Sequence, residues 1–291
     1  MGSSRTRDRR QEPVRPPGSA VRRTGGARAA AATNVRSVER EEPLNGGNVS
    51  DGIVRVGQTV RRPPSAASPA VHLFLAHLNE VGYDGAPRTY GFDDKGRHVL
   101  EYVHGHILMP FEPQDPRAAL RRVGSLLREF HDAAATFIPP PDAQWNVVIP
   151  PDKCDLVVHH DAAPWNLVMG ADRWVFIDWD NAGPGSRLWD LAYAAHGFVP
   201  LAPDISTQEA GARLAALTDG YGLDEQGRRD LTDLLVPRIL SMYALLERGS
   251  REQRQPWSRL WDEGHGDVWR SHAEYAALHL SELTAAMLDA S

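Results

Sequence analysis

The spacing of apolar and polar residues along the chain predicts two parts with different secondary structure. Before Gly105, apolar residues come in short runs separated by turn-forming residues, which is typical of short strands. Within this part, residues 69–81 carry Val71 and Phe74 at helical spacing, which predicts one helix. After Gly105, helical spacing dominates and begins with a helix predicted at 117–134. We therefore expect an α+β chain in which a small β-rich lobe precedes a larger helical lobe.

Short apolar runs and turn residues predict the individual strands. In the first part the predicted strands are 53–56, 59–62, 88–92 and 98–103. In the second part the predicted strands are 156–158, 167–169 and 174–177, the last two forming a hairpin. If residues 170–173 are its turn, Asn166 falls opposite Ile177.

The composition is that of an ordinary globular protein, with 42% hydrophobic and 24% charged residues over 291 positions. The net charge of −6 argues against general binding to nucleic acids or to a membrane surface. No apolar run approaches the roughly 20 residues that span a bilayer. Cys154 is the only cysteine and cannot form an internal disulfide, which fits a reducing compartment, so we expect a cytoplasmic protein.

The first 40 residues differ in composition from the rest of the chain. They carry ten arginines against three acids, a charge of +7, so the remainder of the chain carries −13. They contain almost no large apolar residue to bury, and we expect a disordered tail over 1–42. The arginine pairs at 9–10 and 22–23 are not followed by the apolar run of an export signal. The predicted lobes then occupy 43–103 and 104–291.

Three polar residues stand among strongly apolar strand segments and carry the candidate chemistry. Asn166 and Asp178 fall side by side at the open end of the predicted hairpin. An amide oxygen and a carboxylate placed together can share Mg²⁺, which prefers oxygen ligands. Asp161 begins the loop that leads into the hairpin, at a position that suits a base accepting a proton from a hydroxyl.

This spacing resembles the aminoglycoside phosphotransferase family of the protein-kinase-like superfamily. His159, Asp161 and Asn166 match its H-x-D-x-x-x-x-N loop, Asp178 matches its later I-D-[FWL], and Asp190 begins its D-[IL]-A. The resemblance implies a two-lobed kinase-like fold and Mg²⁺-dependent transfer of the γ-phosphate of ATP or GTP to a hydroxyl of a small molecule. It also implies that Asp161 is the catalytic base, that Asn166 and Asp178 hold the metal, and that His159 and Asp190 support the loop.

The resemblance implies that the first lobe covers the nucleotide. The Gly-rich loop 46–52 would present backbone N–H groups, including that of Gly47, and the hydroxyl of Ser50 to the phosphates. A plain hairpin turn is equally compatible with this loop. Backbone groups between Glu101 and Val103 fall where the hinge between the lobes would bond the base, although a plain strand end fits them equally well. ATP versus GTP, the acceptor and the oligomeric state are left open by these motifs.

The chain departs from the family at three positions. The lysine of the third strand is missing, and Arg62 takes its place, either holding phosphate or lying in solvent at the sheet edge. The glutamate expected in the first helix is also missing; His72 lies near that position, and Glu80 lies at the far end of the helix. His160 replaces a glycine that is common in the catalytic loop.

The resemblance also implies that the acceptor binds against the helical lobe. Candidate acids are Asp180, just after the predicted metal ligand, and Asp262 with Glu263. With neighbouring tryptophans they could seat a cationic amino sugar or a choline-like ammonium group. The alternative is that these tryptophans belong to the core: Trp257, Trp261 and Trp269.

A second function remains open on the same fold. The segment 54–63 resembles bacterial proteins labelled as trifolitoxin immunity factors, and the missing lysine and glutamate favour a non-catalytic or weakly catalytic binding protein. The presence of Asp161, Asn166 and Asp178 favours an enzyme. A Ser/Thr protein kinase is disfavoured because the segment between Asp178 and Asp190 is too short to position a peptide.

Overall fold

In the part of the chain that the structure describes, the first lobe contains an antiparallel sheet and one helix. The computed structural model describes residues 40–44, 52–199 and 201–290. The strands are β1 (Glu41–Pro43), β2 (Val54–Val56), β3 (Thr59–Arg62), β4 (Thr89–Phe92) and β5 (His98–Glu101), in the spatial order β1-β2-β3-β5-β4. Between β3 and β4 lies helix α1 (Ser68–Glu80), which buries its apolar face.

The second lobe is mostly helical and carries two small two-stranded antiparallel sheets. Its elements are α2 (Pro116–Ala134), β6 (Leu156–Val158), β7 (Leu167–Met169), β8 (Trp174–Phe176), β9 (Gly183–Gly185), α3 (Arg187–Phe198), α4 (Thr207–Tyr221), α5 (Glu225–Arg251), α6 (Trp257–Asp262), α7 (His265–Leu278) and α8 (Leu280–Asp289). β6 pairs with β9, and β7 pairs with β8. Among the residues described, no helix is both long enough and apolar enough to cross a membrane.

The predicted hairpin is confirmed in its register. Leu167 pairs with Phe176 across β7 and β8, and the Ile177 N–H donates to the Asn166 carbonyl at 2.8 Å. Strand β9 was not predicted because Gly183–Gly185 has no strand pattern; its pairing with β6 alone makes it extended. β1 begins at Glu41, within the segment predicted as tail, while residues 1–39 of that segment lie outside the described residues.

Helices α2 and α4 approach each other closely at glycines. A Cβ built at Gly124 of α2 would lie 2.1 Å from the carbonyl oxygen of Leu217, and one at Gly220 of α4 would lie 1.9 Å from that of Arg121. Any larger side chain would push the helices apart. This close contact fixes the position of α2, and α2 carries His131 toward the loop that follows β6.

Candidate active site

The predicted catalytic loop follows β6 and turns around the buried ring of His159. The Asp161 N–H donates to Nδ1 of His159 at 3.2 Å, so Nε2 carries the proton and donates to the Ile177 carbonyl at 3.1 Å. Burial lowers the pKa of the His159 imidazole to about 4, which keeps the ring neutral. His159 therefore ties the loop to the end of β8, as a supporting side chain would.

Asp161, the predicted base, is half-buried and held from two sides. The Tyr193 hydroxyl donates to its Oδ1 at 2.8 Å, and Nδ2 of Asn166 donates to its Oδ2 at 2.9 Å. Burial raises the pKa of the Asp161 carboxyl to about 6, against the lowering effect of the Tyr193 hydrogen bond, and the charge of Asp178 adds to the rise. The carboxylate is ionised at neutral pH and is still a stronger base than an exposed aspartate.

The two predicted metal ligands lie at the end of the β7–β8 hairpin. Nδ2 of Asn166 makes a second bond at 2.9 Å to the Asp161 carbonyl, so the amide oxygen points away from the base. Asp178 follows β8 with a backbone φ of 62°, a left-handed conformation. Burial raises the pKa of the Asp178 carboxyl, and the positive charge of Arg62 opposes that effect.

A fully buried carboxylate organises the backbone of the loop. Oδ1 of Asp190 accepts the His160 N–H at 2.6 Å, and its Oδ2 accepts the His159 N–H at 3.4 Å and Nε2 of His131 at 3.2 Å. Burial raises its pKa, but the hydrogen bond and charge of His131, with smaller contributions from His160 and His159, lower the pKa of Asp190 to about 2. Asp190 therefore stays ionised and fixes the loop from α3.

His160 occupies the position at which the resembled family carries glycine, and the backbone explains that preference. Its φ is 64°, in the left-handed region that glycine adopts without strain. The imidazole Nε2 contacts the Pro184 carbonyl at 3.0 Å, and Nη2 of Arg238 donates to the His160 carbonyl at 3.1 Å. These contacts hold the imidazole and the backbone in place.

Sequence reasoning missed two residues of the site, Tyr193 and Arg238. Tyr193 lies one helical turn after Asp190 on α3, so the shared face of that helix was a usable signal. Arg238 is 2% exposed on α5, and its guanidinium lies 4.2 Å from the centre of the Tyr193 ring. An arginine within an apolar helical stretch was its only signal in the sequence.

Arg62 reaches across from β3 to the far side of the site. Its Nη2 donates to Asp178 Oδ1 at 2.6 Å and to Asp180 Oδ2 at 2.5 Å, and its Nε donates to Asp180 Oδ1 at 3.0 Å. The alternative of an arginine lying in solvent is wrong, since Arg62 is 7% exposed. His72, the helix residue near the missing glutamate, instead contacts Thr89 Oγ1 at 2.8 Å.

Of the predicted nucleotide residues, the structure describes Arg62, Glu101 and Val103. Gly47 and Ser50 lie outside the described residues. The Glu101 N–H donates to the Arg88 carbonyl at 2.8 Å. The Glu101 carboxylate accepts a hydrogen bond from Nη2 of Arg173 at 2.5 Å, so both groups of Glu101 are bonded within the protein. Val103 follows β5 at the expected hinge and is half-buried.

The three predicted acceptor acids have different surroundings. Asp180 is paired with Arg62, Asp262 is exposed at the end of α6, and Glu263 accepts from Arg259 at 2.9 Å. Of the tryptophans, Trp257 and Trp269 are buried and Trp261 is half-buried, as the core interpretation requires.

Comparison with known proteins identifies relatives by sequence. A model of the phosphotransferase enzyme family matches residues 148–231, which include the catalytic loop, Asp178 and Asp190. The trifolitoxin immunity protein of Rhizobium leguminosarum bv. trifolii is 28% identical over 241 residues, covering 78% of this chain and 91% of that protein.

Solved structures share the fold at lower identity. A choline/ethanolamine kinase family protein from Mesorhizobium loti aligns with a TM-score of 0.58 and 17% identity, over 86% of this chain and 92% of that chain. An amicoumacin kinase in complex with AMP-PNP, Ca²⁺ and Ami aligns with a TM-score of 0.56 and 13% identity, over 82% and 89%. The predicted resemblance and the protein-kinase-like two-lobed fold are confirmed, and the family match supports a small-molecule phosphotransferase.

Proposed function

We propose that this chain is a Mg²⁺-dependent kinase that moves the γ-phosphoryl group of ATP or GTP to a hydroxyl of a small molecule. The observation that carries this proposal is the grouping of Asp161, Asn166 and Asp178 at one end of the β7–β8 hairpin. The base, the amide and the second carboxylate have the residue types and chain spacing that phosphoryl transfer uses.

In the proposed reaction Asp161 takes the proton of the acceptor hydroxyl. The acceptor oxygen forms a bond to the γ-phosphorus while the bond from that phosphorus to the β–γ bridging oxygen breaks, leaving ADP or GDP. The pKa of about 6 suits this role because the carboxylate is ionised at neutral pH and still basic. Tyr193 and Asn166 keep its two oxygens oriented.

The residues present fit a magnesium ion. Asp178 offers a carboxylate, and the amide oxygen of Asn166 faces away from Asp161 because Nδ2 is bonded to that residue. Both are hard oxygen donors of the kind that Mg²⁺ takes alongside phosphate oxygens and water. A metal ion bound there supplies neutralisation of the phosphate charge. As the resemblance implies, we assign nucleotide contacts to Gly47, Ser50 and the backbone near Val103.

A transfer assay tests the proposal. We expect γ-labelled ATP or GTP to label a member of a panel of hydroxylated compounds, including aminoglycosides and amino alcohols. Asp161→Asn should lower the rate by about 10²–10⁴-fold, the usual contribution of a general base. It should leave the nucleotide-induced rise in melting temperature intact. Asp172→Asn, in the exposed hairpin turn, is the matched control. Equal transfer by the wild type and Asp161→Asn would refute the role of the base.

A second candidate is a binding protein that confers immunity without catalysis. The name of the trifolitoxin immunity relative favours it, together with the occupation of Asp178 by Arg62. Thermal-shift titrations with ATP and GTP, with and without Mg²⁺, separate the two candidates. A Mg²⁺-dependent shift that is lost in Asp178→Asn supports the kinase, and the absence of any shift supports the binding protein.

A further inference from the structure

The position of Arg62 carries a consequence for metal binding. Its guanidinium forms a two-pronged contact with Asp180, at 3.0 Å and 2.5 Å, and a third contact with Asp178 Oδ1 at 2.6 Å. The Arg62 side chain is 9% exposed, so these bonds are little weakened by water. The Arg62 guanidinium is therefore hydrogen-bonded to an oxygen of Asp178, the carboxylate that is proposed to hold the metal.

Two polar residues of the first helix, His72 and Glu80, have other surroundings. His72 of α1 is engaged with Thr89 and packs edge-on against Phe92, and Glu80 at the end of α1 is exposed. The negative charge that balances Arg62 comes instead from the stretch after β8. Asp180 is the residue that contacts it with both carboxylate oxygens.

A cation in this position opposes the binding of free metal. A guanidinium and a divalent ion bound to the same carboxylate lie a few ångströms apart and repel each other. Phosphate oxygens, in turn, are strong two-pronged acceptors for a guanidinium. Phosphates entering the cleft would thus compete with Asp178 for Arg62.

We infer that Arg62 is a resident counter-cation of the metal site, held on Asp178 by Asp180 until nucleotide phosphates draw it away. This inference rests on the proposed function and adds an order to it. Divalent metal alone binds weakly, and metal binds well together with the nucleotide. Asp180 is then a positioning residue for Arg62 rather than an acceptor contact.

Binding of Mn²⁺ without nucleotide tests the inference, with electron paramagnetic resonance measuring the free ion over full-length protein. Arg62→Gln should bind Mn²⁺ at least tenfold more tightly than the wild type. Arg61→Gln is the matched control, because the neighbouring arginine contacts Asp93 rather than the site, and it should bind as the wild type does. Adding Asp178→Asn to Arg62→Gln should abolish the gain.

Arg62→Lys keeps the experiment decisive if Arg62→Gln does not fold. A lysine ammonium cannot reproduce the forked contact with Asp180, so Asp178 should be partly released and Mn²⁺ affinity should rise at least threefold. Unchanged affinity in the folded Arg62 variants would overturn the inference, as would a gain that survives Asp178→Asn. Because this comparison uses metal alone, failure to find an acceptor would count against the proposed function and leave this result standing.

Discussion

Asp190→Asn should strongly destabilise the protein, because one carboxylate serves three buried donors. His160 donates to Oδ1, and His159 and His131 donate to Oδ2. An asparagine has only one oxygen, so its NH₂ group must face either the His160 N–H or the two donors from His159 and His131. On either side the NH₂ group would meet another donor. At least one buried N–H group would then lose its acceptor.

The magnitude follows from the contacts. A buried donor left without a partner costs about 1–3 kcal/mol. Removing one side of a buried charged network costs about 3–5 kcal/mol. We therefore expect the free energy of unfolding to fall by about 3–5 kcal/mol. The lowered pKa, about 2 against the ordinary 3.8, gives roughly 2 kcal/mol of this through the charge itself.

Urea unfolding followed by tryptophan fluorescence measures the effect at pH 7. Asp267→Asn is the control, since its carboxylate is exposed in a surface pair with Arg270 and should change stability by less than about 1 kcal/mol. Because folding lowers the Asp190 pKa, its stabilisation is present above about pH 4 and is lost as the pH falls through about 2. The wild type should show this acid loss and Asp190→Asn should not. A loss below about 1 kcal/mol at pH 7 would refute the reasoning.

Three further predictions concern the same loop and its support. The transfer rate should fall about tenfold per unit below about pH 6, because the protonated Asp161 carboxyl accepts no proton; a kcat that stays flat from pH 5 to 7 contradicts this. Arg238→Met should lower kcat without changing nucleotide-induced thermal shifts, since its guanidinium holds the His160 carbonyl, and Arg238→Lys should recover part of the rate. Gly124→Ala should cost about 1–3 kcal/mol in urea unfolding, because its Cβ would meet the Leu217 carbonyl; unchanged stability would contradict the close helix contact.

The parts that the sequence predicted well are those that local rules determine. The turn at 170–173 sets the register of the hairpin, and the register places Asn166 opposite Ile177. The apolar neighbours of Asp161 and Asp178 made these polar residues conspicuous. Local patterning of this kind depends on nearest neighbours along the chain.

The remainder depends on contacts between distant segments. Arg62 lies 118 positions before Asp180, and Arg238 lies 78 positions after His160, so no spacing rule joins them. The sequence placed Asp180 among the candidate acceptor acids and gave no sign of its pairing with Arg62. Asp180, rather than a glutamate of α1, is a carboxylate that pairs with Arg62 of β3. The pattern of charges along α1 gives no indication of this partner.

The pair formed by Glu101 and Arg173 gives the two sides of the cleft unequal sensitivity to salt. Arg173 joins the hairpin of the helical lobe to the end of β5, and its Nη1 also donates to the Asp84 carbonyl at 2.9 Å. Its side chain is 28% exposed, against 9% for Arg62. Because buried ion pairs are screened less than exposed ones, added salt should weaken the Glu101–Arg173 pair more than the Arg62–Asp178 pair.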